Sequence, residues 1–296
     1  MNIKIIEQDH NNVRVRRDLI AYLQPHETQA LFLLGNIQSR FGPAFIYVAE
    51  QEGNKVGVCG YYPTFKACTL FSESDIVSRL FAKEMLKRHG EVHTILGMAN
   101  MAKPAYEEFL DHGREPLEDP EQVFLELEMS DFVPVSPVEG IVRPIKEEDV
   151  DRVAILTRLL RPVPSIDPVT EEERVKVKAS DVIFCLEIDG KVVSVAASNG
   201  LAIQAFQILN VATDPAYQRR GYARAVCSHL IRYMQKRGAE KAVIFTGKDN
   251  MAAQKCYLSL GFQIVGHYYV GKFQDIRGFC EKRREEQCSQ MNTLQL

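Results

Sequence analysis

The chain lacks the signatures of several large protein classes. No apolar run among its 296 residues is long enough to cross a bilayer, and Met1-Asn-Ile-Lys-Ile-Ile-Glu-Gln-Asp does not have the layout of a secretory leader. Neither sign of charge dominates. The 36 Lys and Arg against 39 Asp and Glu leave a formal net charge of -3, which gives no reason to expect nucleic acid as the main partner. The seven cysteines (Cys59, Cys68, Cys185, Cys227, Cys256, Cys280 and Cys288) contain no CxxC and no metal-ligand spacing. An odd, scattered set reads as reduced thiols rather than a disulfide framework. The expectation is a cytoplasmic protein without a metal site, a membrane segment or a nucleic-acid partner, its oligomeric state open.

What is present is ordinary in bulk and specific in detail. Hydrophobic content of 46% and charged content of 25% suit a globular chain, and the length suffices for two domains or one large one. The informative stretch runs Asn210-Val-Ala-Thr-Asp-Pro-Ala-Tyr-Gln-Arg-Arg-Gly-Tyr-Ala-Arg224. An apolar, β-leaning segment ends at a turn over Asp214-Pro215, and Gln218-Arg219-Arg220-Gly221-Tyr222-Ala223 then opens a long helical pattern. Strand, short basic loop and helix N-terminus together make an anion cradle. The first helical amides lack intrahelical acceptors and carry the positive end of the helix dipole. Gly221 lets backbone approach a ligand closely, Ala223 keeps the next turn slim, and Arg219 and Arg220 suit phosphate oxygens. A plain β-α junction with a solvated arginine pair would read the same way.

A second element follows. Asn250-Met-Ala-Ala253-Gln-Lys-Cys-Tyr257-Leu-Ser-Leu-Gly261-Phe262 reads as a short helix capped by Asn250, stopped at Gly261 and followed by a strand. In this order, separated by a helix and a strand, the two elements resemble the GNAT superfamily of N-acetyltransferases. The first matches its acyl-CoA loop, Gln/Arg-x-x-Gly-x-Gly/Ala, and the second its Asn-x-x-Ala-x-x-x-Tyr-x-x-x-Gly-Phe helix. The resemblance covers roughly the C-terminal half.

The organisation follows from punctuation. Pro134, Pro137 and Gly140 interrupt any regular pattern, so 134–140 reads as a linker between a domain at 1–133 and one at 141–275, with a solvated tail at 276–296. In the second domain the pattern predicts a strand at Ile141–Ile145, a helix over 147–160, a Pro-rich loop at Arg161–Pro168 and a helix over 170–178. Strands at Val182–Ile188 and Val192–Ser198 flank an Asp189-Gly190 turn. The motif strand Ala205–Thr213 follows, then a helix over 221–237 with Ala225, Val226, Leu230, Ile231 and Met234 inward, a strand at Ala242–Thr246, the tyrosine helix and strands at 262–275.

The first half repeats this order faintly. Ala44–Glu50 and Val56–Tyr62 form a hairpin about Gly53-Asn54; helix Asp75–His89 has Ile76, Leu80, Phe81 and Met85 inward; strand His93–Gly97, helix Lys103–Leu110 and strand Val123–Glu128 follow. It resembles a degenerate copy, so the fold class is α/β with two tandem GNAT-like domains, each a mostly antiparallel twisted sheet flanked by helices. Thr69-Leu-Phe-Ser-Glu-Ser-Asp is acidic where a cradle would be basic, so no acyl-CoA is expected in this half.

The resemblance implies acetyl-CoA as co-substrate. The backbone of Gln218, Arg219, Arg220, Gly221, Tyr222 and Ala223 would hold its pyrophosphate, and the edge from Leu209 to Thr213, with Val211 central, would pair with the pantetheine arm and polarise the thioester carbonyl. Tyr257 would protonate the leaving thiolate, or else pack its helix against the sheet. Asn250 would bond the pantetheine arm or simply cap its helix. Many relatives carry a glutamate base on the motif strand or its neighbour; here Gln207 and Asn210 stand there, and neither takes a proton. His267 has a suitable ordinary pKa, His229 reads as exposed, and Cys227 and Cys256 read as small core residues. The leading reading is an acetyltransferase acting on a primary amine by direct attack in a ternary complex. A non-catalytic acyl-CoA-binding module with a partner-binding N-terminal domain is the rival. A longer acyl donor or an amino-thiol sugar acceptor is a third reading.

Overall fold

The computed structural model describes residues 2–40, 42–117, 120–137, 139–160 and 166–274. In chain order its strands are β1 (Ile3–Gln8), β2 (Phe45–Gln51), β3 (Asn54–Tyr62), β4 (Ala67–Ser72), β5 (Thr94–Met98), β6 (Glu121–Glu128), β7 (Ile141–Pro144), β8 (Val182–Ile188), β9 (Lys191–Leu201), β10 (Ala205–Thr213), β11 (Lys241–Gly247) and β12 (Gln263–Lys272). The helices are α1 (Val13–Leu23), α2 (Leu31–Ser39), α3 (Asp75–His89), α4 (Ala99–Asp111), α5 (Val150–Arg158), α6 (Glu171–Lys178), α7 (Tyr222–Lys236) and α8 (Met251–Leu258). The chain forms two compact units. One comprises the residues up to Pro25, Asn36–Gln122 and those from His267; the other comprises His26–Gly35 and Val123–Gly266.

In the first unit the strand order is β1-β2-β3-β4-β5-β12. Every pair is antiparallel except β4 with β5, which α3 connects as a parallel crossover. The β2–β3 turn uses Glu52 and Gly53, both at positive φ, one residue earlier than the Gly53-Asn54 turn the sequence suggests. Helix α3 begins where Ser74 accepts the Val77 N–H and stops at Gly90, whose φ is 64°. Its buried stripe is Val77, Ser78, Phe81, Ala82 and Met85, whereas Ile76, expected inward, is 57% exposed. Gly57 explains the rotation. A Cβ there would meet Val77 Cγ1 at 2.8 Å and Phe81 Cε2 at 2.9 Å, so the bare glycine draws that part of the helix onto the sheet.

In the second unit the order is β6-β11-β10-β9-β8-β7, with β10 and β11 parallel across α7 and the β7–β8, β8–β9 and β9–β10 pairs antiparallel. Asp189 and Gly190, both at positive φ, turn the β8–β9 hairpin. Each face of this sheet is covered. On one, Ala225, Val226, Leu230, Ile231 and Met234 of α7 pack on Leu186, Val193, Phe206 and Ile208. On the other, Val150, Val153, Ala154 and Leu156 of α5 and Val177 of α6 pack on Ile183, Cys185, Val195, Ala197 and Ala212. Each fully buried aliphatic side chain contributes about 1.5–3 kcal/mol. The fold is a mixed α/β structure of twisted sheet and flanking helices.

The units do not follow a cut at 134–140. Val123, Leu125 and Leu127 of β6 lie in the α7-side core of the second unit. Residues Tyr268 to Lys272 of β12 pair antiparallel with β5 in the first. Segment His26–Gly35 also belongs to the second unit, where Glu27 Oε1 accepts the N–H groups of Ile203, Gln204 and Ala205 at 2.7, 2.7 and 2.8 Å. The residues expected as a linker are tied to α7: Val135 N–H donates to Ser228 Oγ at 2.9 Å, and the Tyr222 hydroxyl donates to Glu139. Residues 161–165 of the Pro-rich loop, the expected tail at 276–296 with Cys280 and Cys288, and the end of the last strand at 275 lie outside the described residues. Among the described residues no helix is long and apolar enough to cross a membrane.

Candidate active site

The site grows out of a strand that leaves its neighbour. β10 and β11 run parallel and pair only from Ala205 with Lys241 to Gln207 with Val243, although both continue. Beyond Gln207 the β11-side edge of β10 is open to a ligand. On its other edge β10 stays with β9, with a bulge between Leu209 and Ala212 and Asn210 at φ 54°. The bulge puts two consecutive side chains on the α5/α6 face: Leu209 packs there with Ala212, and Asn210 lines a cavity beside it. Val211 returns to the α7 face. Asp214 N–H donates to Val193 O on β9 at 2.8 Å, so the alternation of the strand turns the Thr213 and Val211 N–H groups toward the open edge.

The loop from Asp214 to Gly221 is held by its own polar groups. Asp214 Oδ1 accepts the Ala216 N–H at 3.0 Å, Gln218 Nε2 donates to Thr213 O at 3.2 Å, and Arg152 and Lys191 bond the Asp214 carboxylate. Burial alone would raise the Asp214 carboxyl, but Lys191, the Ala216 N–H and Arg152 outweigh it and hold the pKa down at about 2. Arg219 at φ 63° and Gly221 at φ 81° swing the chain into α7. Among the described residues no side chain caps that helix, so the amides of Tyr222 and Ala223 have no side-chain acceptor. Arg219 and Arg220 are exposed, and Arg220 lies over the Tyr217 ring at 5.5 Å. Tyr222 contributes backbone only, since its ring is buried in the α7 core. Its hydroxyl donates to Glu139, which also lies 3.8 Å from Arg220 Nη1. No local signal marks this carboxylate beside the start of α7, because it arrives from the irregular segment before β7.

Helix α8 is fixed at both ends. Asn250 Oδ1 accepts the Ala253 N–H at 3.2 Å, which favours the cap among its two readings, and Gln254 Nε2 donates to Gly247 O and Lys248 O at the end of β11. Gly261, at φ 101°, lies against the Asp131 carbonyl where a Cβ would collide. Tyr257 is 5% exposed, with its ring in the α7-side core. Among the described residues its hydroxyl makes no hydrogen bond, and burial pushes its pKa well above the ordinary phenol value, so it keeps its proton.

The remaining candidates separate. Burial pushes the Cys227 thiol well up and the Cys256 thiol to about 11, so neither is a ready thiolate. His267 belongs to the first unit and pairs with Glu121 at 3.0 Å. His229 is exposed on α7 against Phe184. Gln207 is buried and accepts from Asn199 Nδ2 at 3.1 Å. The cavity beside Asn210, about 280 Å³, lies between α5, α6 and strands β8 to β10, with Val153, Thr157, Leu160, Glu173 and Lys176 among its walls. The sequence pointed to none of these wall residues. Only the Thr170-x-x-Glu173 capping box was visible as a signal.

Residues 153–262 match the sequence model of the Acetyltransferase (GNAT) family. This segment belongs to the GNAT family. A curated relative, the [Ribosomal protein bS18]-alanine N-acetyltransferase of Escherichia coli (strain K12), is 38% identical over 89 residues, 29% of this chain and 60% of the relative. The enzyme of the same name from Haemophilus ducreyi is 40% identical over 58 residues, 20% of this chain and 40% of the relative. The chain thus spans 60% or less of these relatives' length. Among solved structures, a tandem GNAT protein from the clavulanic acid biosynthesis pathway is similar over 92% of this chain and 98% of its own, with a TM-score of 0.56 at 12% identity. An N-acetyltransferase of the same superfamily from Sphaerobacter thermophilus covers 91% and 95%, at 0.58 and 13%. These structures share the GNAT fold with the chain.

Proposed function

We propose that the second unit is an N-acetyltransferase that moves an acetyl group from acetyl-CoA to a primary amine by direct attack in a ternary complex. The observation that carries this reading is the parting of β10 from β11 directly before an uncapped helix N-terminus, inside a segment of the GNAT family. The backbone from Gln218 to Ala223 holds the pyrophosphate, with Arg219 and Arg220 screening its charge. The open edge from Leu209 to Thr213 pairs with the pantetheine arm. The Val211 N–H polarises the thioester carbonyl, and one such fixed donor is worth about 3 kcal/mol because it needs no reorganisation as charge develops. Tyr257 gives its proton to the leaving thiolate. Asn250 acts by fixing α8 rather than by touching the donor.

The first unit, in this reading, is a degenerate copy that binds no acyl-CoA. Both units carry an antiparallel meander, a helical crossover to a parallel strand and a further helix. The β4–α3 connection is only Glu73-Ser74, with the helix capped by Ser74, where the second unit has Asp214 to Gly221 and an uncapped helix.

Thermal unfolding of the full chain tests the donor site. Ligand at about 100 times its dissociation constant adds ~2.7 kcal/mol to the folded state. Acetyl-CoA and CoA should raise the midpoint and ATP should not; no shift at saturating acetyl-CoA would remove the reading.

A further inference from the structure

The segment before β7 is anchored along its length and carries a carboxylate to the donor loop. The Val133 N–H donates to Leu260 O at 3.0 Å and the Val135 N–H to Ser228 Oγ at 2.9 Å, while Phe132 and Val135 pack on the α7-side core. At the far end Gly140, at φ 79°, lies against Glu187 O, where a Cβ would come within 2.5 Å. Anchors on either side thus deliver Glu139 to the start of α7. The Tyr222 hydroxyl, on a ring buried in the core, donates to its carboxylate. Glu139 Oε1 also lies 3.8 Å from Arg220 Nη1. The other contacts of Arg220 are loose: Nη2 donates to Ala216 O at 3.5 Å, and the guanidinium lies 5.5 Å from the centre of the Tyr217 ring. The two side chains of the ion pair are 54% and 53% exposed, so the pair is weak and opens readily.

Resting on the acetyltransferase reading, we propose that Glu139 is an internal competitor of the donor: its carboxylate and the CoA phosphates take Arg220 by turns, and Glu139 thereby sets how tightly CoA is held. An arriving pyrophosphate draws Arg220 away from Glu139. The carboxylate cannot follow, because the anchored segment and the Tyr222 hydroxyl keep it beside the start of α7. It is left as a negative charge facing an anionic ligand. Both the broken pair and the repulsion weaken binding, and they weaken acetyl-CoA and product CoA alike, since the two carry the same phosphates. At a separation on the order of 7 Å in water, one charge changes the affinity for another by roughly threefold, and a pyrophosphate carries two charges. Salt reduces this effect, because at about 0.15 M the screening length is only ~8 Å. The two arginines of the loop therefore act on the donor with part of their charge offset from within the chain. No residue of the motif itself supplies that offset; it comes from the segment before β7.

The test is a binding titration of the full chain with acetyl-CoA and with CoA, in wild type and two variants. Glu139→Gln keeps the size of the side chain and an oxygen for the Tyr222 hydroxyl, and removes only the charge. Its Kd for both ligands should be about fivefold lower than that of wild type at ~0.01 M ionic strength, and within about twofold of it at ~0.5 M, where the screening length is a few ångströms. Glu139→Ala removes the charge and the acceptor together and should tighten binding as well, which separates the charge from the bond to Tyr222. Affinity in either variant should fall more steeply with salt than in wild type, because the positive charge of the loop is then no longer offset. An unchanged Kd in both variants would overturn the proposal. So would a raised Kd, which would mean that Glu139 aims Arg220 at the phosphates instead of competing for it. A gain of the same size at both ionic strengths would show that the charge of Glu139 is not its cause, and would overturn it too. Wild type that binds acetyl-CoA while the variants fail these expectations refutes this inference alone; wild type that does not bind acetyl-CoA refutes the reading beneath it.

Discussion

At the scale of single residues, Tyr257 shows how burial sets a chemical role. Its ring packs in the α7-side core, and desolvation holds the proton on its oxygen. A group that never ionises near neutral pH cannot be a base, but it can donate to a thiolate. Tyr257→Phe retains the ring and removes only the oxygen. Turnover should fall by about 10²-fold or more, the scale of one general acid, with acetyl-CoA affinity nearly unchanged. Steady-state kinetics beside a binding titration checks this, and an unchanged kcat would reduce Tyr257 to packing. Gly221 makes the complementary point. Only Arg224 Nη2, at 3.9 Å, approaches the place of a Cβ there, so its requirement is the positive φ that aims the chain into α7 rather than space inside the protein.

Among the elements, the turn that ends β10 depends on Asp214. Its carboxylate joins Arg152 of α5 and Lys191 of β9 to the loop ahead of the cradle. The carboxyl is depressed from 3.8 to about 2, so its contribution is fully present above the unfolded value and is lost as pH falls through the folded one. Asp214→Asn should therefore cost about 2 kcal/mol at pH 7, and the gap from wild type should close as the pH approaches 2. Urea unfolding at several pH values measures it, and a gap independent of pH would show that the carboxylate's charge is not the cause. Much of this element was legible in advance. The motif strand Ala205–Thr213, the hairpin strand Val182–Ile188 and helix Asp75–His89 fall at the predicted residues, because alternation, a two-residue turn and a serine cap are local signals. The bulge at Asn210 was not legible, since a positive φ at an asparagine is decided by the pairing with β9. Strand β4 and helices α1 and α2 also passed unread, the last with its apolar residues too continuous to show a face.

For the whole molecule, the lesson concerns which pieces make a unit. Sequence punctuation at Pro134, Pro137 and Gly140 marks a break in periodicity, but pairing between distant strands leaves no local trace. The core around α7 uses Val123, Leu125 and Leu127 of β6, from the far side of that break. Leu125 is fully buried, so Leu125→Ala should destabilise by about 2–5 kcal/mol and lower the acetyl-CoA-stabilised melting midpoint as well. If that midpoint is untouched, β6 is not part of the unit that binds the donor.

The contact of Glu27 with the amides of Ile203, Gln204 and Ala205 also has a consequence in time. A ribosome makes the carboxylate first and its three partners more than a hundred residues afterwards. At ~5–20 residues per second the early segment waits for roughly ten seconds or more with its destination unmade. Strand β5 waits in the same way for β12. Neither unit can close before its late strands are made, so the early elements of the first, β1 to β5, stay unfinished until β12 has followed.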